Sequence, residues 1–435
     1  MMEKTNTSTK QVAHDVSTLC PEDAKIALAL SGGGVRASAF HMGVLRYFSS
    51  KGLLGNIRPI STVSGGSLAV GLLMSKNGNA WPHDPASFSK AAELVKQVLT
   101  STSLQLNALL RMLNPFNWPH IFSRANVVAD SLEGLWGIKG KLGSLPTLPV
   151  WELNGTTMET GRRWRFVSGP GAIMGDGATG NWGAKDFRLA DAMAASAAFP
   201  GGVSPLQVSA DPGTATLRYP DPMNAVLREK GTKSWHIADG GVYDNLGLEP
   251  LYDASARKIR QTCGCDFVIV SDAGSPLKFS NWALWAQGLG FGGRTIDVMY
   301  AQGRNMRARS FVGTIIAKTA SGLFLNIANS RANAITEYLK QGGDKRISNS
   351  LAAGLNQDKV DEAALFETTL RRLSTAEYDL LERHGFETAQ TQWTLYGRAQ
   401  FQATCADGIV RDDIASTNTA PFQQDTELSP IEGTQ

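Results

Sequence analysis

Cysteine is scarce in this chain: Cys20, Cys263, Cys265 and Cys405 are the only four in 435 residues. So few cannot build the framework that holds small secreted domains together, and Cys263-Gly-Cys265 lacks the second pair that a zinc site at finger spacing would need. A reducing compartment fits that usage. An excess of one charge is lacking too. The formal net charge is +3, with 42 lysines and arginines against 39 acids, whereas a nucleic-acid binder needs a clustered basic face with interleaved aromatics. No nucleic-acid partner is expected. Nowhere do about 18 apolar residues run uninterrupted, as a spanning helix requires. The opening stretch MMEKTNTSTKQVAHDVSTLC has no apolar segment after its lysines and does not read as a secretory signal. The expectation is a cytoplasmic protein whose only membrane contact is peripheral.

What is present suffices for a large core. Hydrophobic residues make up 42% and charged residues 19%, an ordinary balance for a folded globular chain. Residues 1–24 are polar and aperiodic and read as a flexible tail. Residues 406–435 carry six acids against Arg411 alone and read as a disordered acidic tail. The body between them, 25–405, is then mildly basic and would tolerate an anionic membrane surface, although ordinary solvated charges explain the same balance.

Within that body, strand and helix patterns alternate. The run IALAL (26–30) ends in a glycine cluster and leads into helical spacing through Phe40, Val44, Leu45 and Phe48. A second such unit follows, with RPISTV (58–63), a Ser-Gly-Gly turn and SLAVGLLM (67–74). Further strands are predicted at 149–153, 163–167, 235–238, 266–270 and 311–317, and helices near 189–198, 278–308, 330–341 and 369–384. Such alternation implies an α/β fold of three layers, α/β/α, with a mainly parallel central sheet and helices on both faces. The least regular stretch, about 80–145, reads as an inserted helical segment. Its Leu106, Leu109, Leu110 and Leu113 fall at helical spacing ahead of Phe116, Trp118 and Phe122, a stripe that suits core packing or, more sharply, a lid or membrane-facing element.

Three short motifs carry chemistry. Ser64 lies in Thr62-Val63-Ser64-Gly65-Gly66 between an apolar strand and a helix, which is where a nucleophile elbow holds its serine. Gly66 matches the second glycine of G-x-S-x-G, while Thr62 stands where the first would be. Upstream, Ser31-Gly32-Gly33-Gly34-Val35-Arg36 opens a helix after the first strand. Consecutive glycines at a helix start let backbone N–H groups converge on an anion. Neither the dinucleotide spacing nor the Walker spacing is met, so an oxyanion hole beside a serine fits better than a nucleotide phosphate site. Downstream, Ala238-Asp239-Gly240-Gly241-Val242-Tyr243-Asp244-Asn245 ends a strand with a carboxylate, at the sheet edge where open α/β sheets bind ligands. A plain turn capped by Asp would look the same in isolation.

Together and in this order, the glycine loop, the serine elbow and the Asp-Gly-Gly resemble the patatin-like phospholipase family over about residues 25–275. The stretches ELNGTTMETGRRWRF (152–166) and AMAASAAFPGGVSPL (192–206) are similar to family segments as well. The family pattern carries glycine where this chain has Thr62. The resemblance implies Ser64 as nucleophile, Asp239 as its base and the Gly32, Gly33 and Gly34 backbone as oxyanion hole. Arg36, Gly65, Gly66, Gly240 and Gly241 would support them. It implies a lipid acyl hydrolase of phospholipase A type, acting on a phospholipid or other lipid ester without metal or cofactor. Transient membrane contact goes with that reading, and a regulatory activator or a homo-oligomer stays open. Two rivals share the motifs: a soluble carboxylesterase or thioesterase on the same dyad, and a lipid-binding protein with an idle site. In two-step acyl transfer Asp239 would take the Ser64 proton, and a carboxylate with a reference pKa of about 4 does this poorly unless burial raises it. An apolar site is therefore expected.

Other side chains invite a check. Of the six histidines, His41 and His236 come nearest the motifs and define a triad alternative. Alternation on the strand turns His236 to the face opposite Asp239. Arg162, Arg163 and Arg165 would suit a phosphate head group or a solvated edge, and Trp282 and Trp285 a membrane interface or sheet packing. Asp244 and Asn245 are expected to brace the Asp-Gly-Gly loop, and Asp272 to be structural.

Overall fold

The computed structural model describes residues 24–112, 124–200, 202–210, 215–216, 233–279 and 289–411. The tail expected at 1–24 lies outside these residues except for Ala24, and so does the acidic tail beyond Arg411. The strands are β1 Ile26–Leu30, β2 Ile57–Val63, β3 Val150–Thr157, β4 Arg163–Val167, β5 Ile173–Asp176, β6 Gly180–Gly183, β7 Leu206–Ser209 and β8 Ser234–Asp239. They continue with a small pair, β9 Tyr252–Asp253 and β10 Lys258–Ile259, then β11 Phe267–Asp272 and β12 Gly322–Asn326. The first seven helices are α1 Gly34–Ser50, α2 Gly65–Lys76, α3 Pro85–Ser101, α4 Leu104–Met112, α5 Arg124–Ser131, α6 Leu189–Ser196 and the short turn α7 Gly241–Asp244. The rest are α8 Leu289–Ile316, α9 Arg331–Lys340, α10 Lys345–Asn349, α11 Gln357–Ala364, α12 Thr375–Gln392 and α13 Arg398–Arg411.

Ten strands form one sheet whose path runs β12-β11-β1-β2-β3-β4-β5-β6, with β8 on β3 and β7 on β8. From β12 to β3 every pairing is parallel; β4, β5, β6, β7 and β8 add antiparallel pairings. The fold is thus α/β with a parallel sheet at its centre. All of β1 is buried, as a strand covered on both faces must be, and its residues alternate between two cores. Ile26, Leu28 and Leu30 join the cluster of Phe40, Phe48, Leu381 and Trp393. Ala27 and Ala29 face Leu246, Leu251, Tyr252 and Phe311. These are the two helical layers.

The run 311–317, expected as a strand, is the end of α8. Phe311 and Thr314 are buried one turn apart, so β-branched residues here serve a helical face, and the edge strand is β12 instead. Strands β5, β6 and β7 escape the sequence pattern because they are four residues long and two of them are rich in glycine. The described part of the stretch 80–145 is more ordered than its composition suggests. The Asp84 side chain caps α3 by accepting from the Ala86 and Ser87 amides, with Pro85 in the first turn, and Phe88, Ala91, Ala92, Val95 and Leu99 are buried. On α4, by contrast, Leu106, Leu109 and Leu110 are 55%, 53% and 55% exposed. Leu113, Phe116, Trp118 and Phe122 lie outside the described residues, as do Trp282 and Trp285. Cys263 and Cys265 are joined as a disulfide in the turn before β11, a pairing that cysteine scarcity did not foretell. No helix among the described residues is long and apolar enough to cross a membrane.

Helices α1 and α12 touch backbone to backbone. A Cβ on Gly43 would stand 1.8 Å from the Glu382 carbonyl oxygen, and one on Gly385 would stand 2.0 Å from that of Phe40. Neither neighbour is a flexible side chain that could yield. Gly43→Ala or Gly385→Ala should therefore force the helices apart and cost about 1–3 kcal/mol or more. Thermal unfolding measures this, and an unchanged midpoint in both variants would contradict the contact.

Candidate active site

Strand β3 brings the serine and the aspartate together. Along one edge it pairs with β2 as far as Val63 opposite Asn154. On the same edge the next residue, Gly155, pairs with Asp239 of antiparallel β8. The two strands run toward each other and stop at consecutive positions of β3. Asp239 therefore reaches the parallel sheet's edge from the opposite direction, not as the end of a parallel strand.

Ser64, the residue after β2, has φ 50° and ψ −115°. Non-glycine residues seldom adopt positive φ, and such strain is held only where the surroundings over-determine it. Here the Ser64 amide donates to both the carbonyl and the hydroxyl of Ser196, each at 3.1 Å. The Gly66 amide donates to the Ser31 carbonyl at 3.1 Å, which ties the elbow to the glycine loop. Gly65 begins α2.

Thr62, where the resemblance calls for glycine, is fully buried and satisfied. Trp151 Nε1 donates to its hydroxyl at 2.8 Å, the Thr62 and Ser67 hydroxyls lie 2.7 Å apart, and those of Ser67 and Ser196 lie 2.8 Å apart. The Ser196 hydroxyl then donates to the Asn154 carbonyl at 2.7 Å. An indole N–H can only donate and a carbonyl can only accept, so the whole chain runs one way: Trp151 to Thr62 to Ser67 to Ser196 to Asn154. Ser196, Ser67 and Asn154 were not singled out from sequence. Their only signal was that Ser196 and Asn154 lie in stretches similar to family segments.

Asp239 is buried, and loss of solvent lifts its pKa from 3.8 to about 7. The hydrogen bond from the Gly241 amide, at 2.6 Å, and the neighbouring Ser64 hydroxyl oppose the rise without cancelling it. The Asp239 amide donates to the Ala198 carbonyl at 3.0 Å and that of Gly240 to Ser196 at 3.4 Å. The end of α6 thus holds both Ser64 and Asp239. A serine hydroxyl beside a carboxylate poised near neutral pH can serve chemically as a nucleophile with its base.

The glycine loop faces this pair. The Gly32 amide is spent on the Asn245 carbonyl at 3.1 Å, while those of Gly33 and Gly34 have no partner among the described residues. A Cβ on Gly34, at φ +61°, would lie 2.4 Å from the Thr369 carbonyl oxygen, so only glycine fits. Arg36 is buried beneath the loop. Its guanidinium donates to the carbonyls of Ala273, at 3.1 Å, and Phe366, and burial with the neighbouring Arg304 lowers its pKa to about 10. Arg36 is a brace here, fastening the loop to β11 and to residues far along the chain.

Neither histidine completes a triad. His41 is buried between the Ser271 hydroxyl at Nδ1 and the Ser31 carbonyl at Nε2, and desolvation lowers its pKa to about 4. His236 pairs with Glu159 on the outer face. Arg163 is spent on Glu152 and the Asn154 side chain, and Arg165 donates to Asn181 at 2.6 Å. Asp244 accepts from the Leu246 and Glu249 amides, and the Asn245 side chain is wedged between Gly32 and Gly241. Asp272 accepts from the Gly274 amide at 2.9 Å. Among the described residues no cluster of His, Cys, Asp and Glu could hold a metal ion.

Comparison with known proteins bears on the family and the fold. A family model described as patatin-like phospholipase matches residues 28–252. No curated protein sequence gives a significant match. Among solved structures, human GIVD cytosolic phospholipase A2 superposes with a TM-score of 0.55 at 12% identity, over 88% of this chain and 63% of its own. The same human enzyme in complex with methyl gamma-linolenyl fluorophosphonate gives 0.45 at 13% identity, over 88% and 60%. VipD from Legionella pneumophila gives 0.24 at 11%, over 93% and 94%. The chain spans less than two thirds of the length of the human enzyme.

The one-way hydroxyl chain makes Thr62 a structural asset. Thr62→Val keeps the shape but strands the Trp151 indole N–H and breaks the relay to Ser67, and should cost about 1–3 kcal/mol. Thr62→Ser keeps the link and should cost less. Calorimetry on the pair would show it; equal stability of the valine and wild-type proteins would refute the chain.

Proposed function

Because the chain belongs to the patatin-like phospholipase family, we propose that it hydrolyses carboxylic esters of lipids as a phospholipase A-type serine hydrolase on a Ser64–Asp239 dyad. One observation carries the reading: a buried carboxylate, its pKa lifted to about 7 by desolvation, lies beside the hydroxyl of a serine held at positive φ. Asp239 takes the Ser64 proton as Oγ attacks the ester carbonyl. The free amides of Gly33 and Gly34 hold the oxyanion. The C–O bond then breaks, the leaving alcohol takes the proton back from Asp239, and water cleaves the acyl-enzyme by the same route. Lipid, rather than a small dissolved ester, is favoured by the exposed Leu106, Leu109 and Leu110 on α4, an apolar face suited to a bilayer surface.

The raised pKa fixes the sign of the pH response. Asp239 is a base only when ionised, so kcat/KM should climb as pH rises through about 7, well above the range of an ordinary carboxylate. Stability moves the other way. The fold favours the neutral acid, so the contribution of this group is complete below about 4 and is lost as pH rises through about 7. A rate profile with its inflection near 4 would contradict the assignment.

Ser64→Ala should abolish both turnover and labelling by a fluorophosphonate, and Asp239→Asn should slow turnover by roughly 100-fold to 10,000-fold. Micellar phospholipid should be preferred over short p-nitrophenyl esters. A preference for the dissolved short ester would overturn the lipid assignment, and labelling that survives in Ser64→Ala would overturn the nucleophile.

A further inference from the structure

Helix α8 lies beyond the segment matched by the family model and covers the Asp-Gly-Gly loop. Its inner face carries Tyr300, Arg304 and Arg307 on successive turns. Two of these are paired: Arg304, whose Nε alone is left over, donates through Nη1 to the Ser275 carbonyl at 3.1 Å and lies 3.7 Å from Asp272, and Arg307 lies 3.6 Å from Asp244 and over the Tyr243 ring. Tyr300 is not. Its ring lies 3.2 Å from where a Cβ on Gly241 would stand, and that same point is 2.9 Å from Asp239 Oδ1. Its hydroxyl is buried and has no hydrogen-bond partner among the described residues. A buried hydroxyl left unpaired is costly, and where one persists in a fold it calls for an explanation.

The geometry points to the Tyr300 hydroxyl as the donor that meets the leaving-group oxygen of the substrate. This rests on the dyad reading above. As the acyl C–O bond breaks, its electron pair moves onto the leaving oxygen, and the phenol donates a hydrogen bond to that developing alkoxide. Tyr300 keeps its own proton; the one that ends on the alcohol is the proton Asp239 took from Ser64. The charge of Asp239 suits this division of labour. Burial and the neighbouring carboxylate together push the Tyr300 pKa up, so the phenol stays a donor throughout the working range.

The test varies the leaving group with the acyl chain held constant. An alkyl alcohol needs help to depart, whereas p-nitrophenolate is stable without it. Tyr300→Phe keeps the ring against Gly241 and removes only the hydroxyl. It should lower kcat/KM for the alkyl ester by about 10-fold to 100-fold, in the range seen when one positioned donor is lost, and change the p-nitrophenyl ester less than about twofold. A role limited to packing would lower both alike. Equal loss on both esters, with wild-type turnover intact and sensitive to Ser64→Ala, overturns the role of Tyr300 and leaves the dyad standing. A wild-type protein that turns over neither ester overturns both.

Discussion

The site depends on two strands meeting head-on along a third. β3 is longer than either neighbour needs, so β2 occupies the first part of its edge and β8 the remainder, arriving from the other side. Val63 and Asp239 thus face adjacent residues, Asn154 and Gly155, and the chain must leave the sheet at both. The elbow at Ser64 is the exit from one strand and the Asp-Gly-Gly turn is the exit from the other. Backbone pairing fixes their separation. No side-chain contact has to find it.

Around that junction, the remaining parts act as clamps. The end of α6 accepts from the amides of Ser64, Asp239 and Gly240, and Arg36 bolts the glycine loop to Ala273 and Phe366. Desolvation follows from the crowding. The same enclosure that buries Asp239 deprives it of water and raises its pKa, so the packing that builds the site also tunes this carboxylate.

Much of this was legible in the sequence. The βα units around the glycine loop and the elbow fall where the periodicity places them, because buried parallel strands are short apolar runs punctuated by glycine. The polarity of β8 was not legible, since a strand's direction relative to its neighbours leaves no mark on its own residues. Thr62 looked like a flaw in the elbow because its compensation lies in Ser67, Trp151 and Ser196, which only the fold assembles. The strand expected at 311–317 is the continuation of the helix expected near 278–308, because a run of β-branched residues does not mark where a helix already under way ends. His41, a plausible base on paper, is buried with both ring nitrogens engaged, which no spacing rule could show.

The reliance of the glycine loop on Phe366 and Thr369 has a consequence for how the protein comes into being. The segment matched by the family model ends at residue 252, yet the Val35 amide and the Arg36 guanidinium find their carbonyl acceptors more than a hundred residues later. During synthesis Ser64, Asp239 and the glycine loop all emerge before the piece that locks them. A chain on the ribosome that stops short of Phe366 therefore carries Ser64, Asp239 and the glycine loop but not the contacts that align them, and the arrangement is complete only once residues 366–369 have been made.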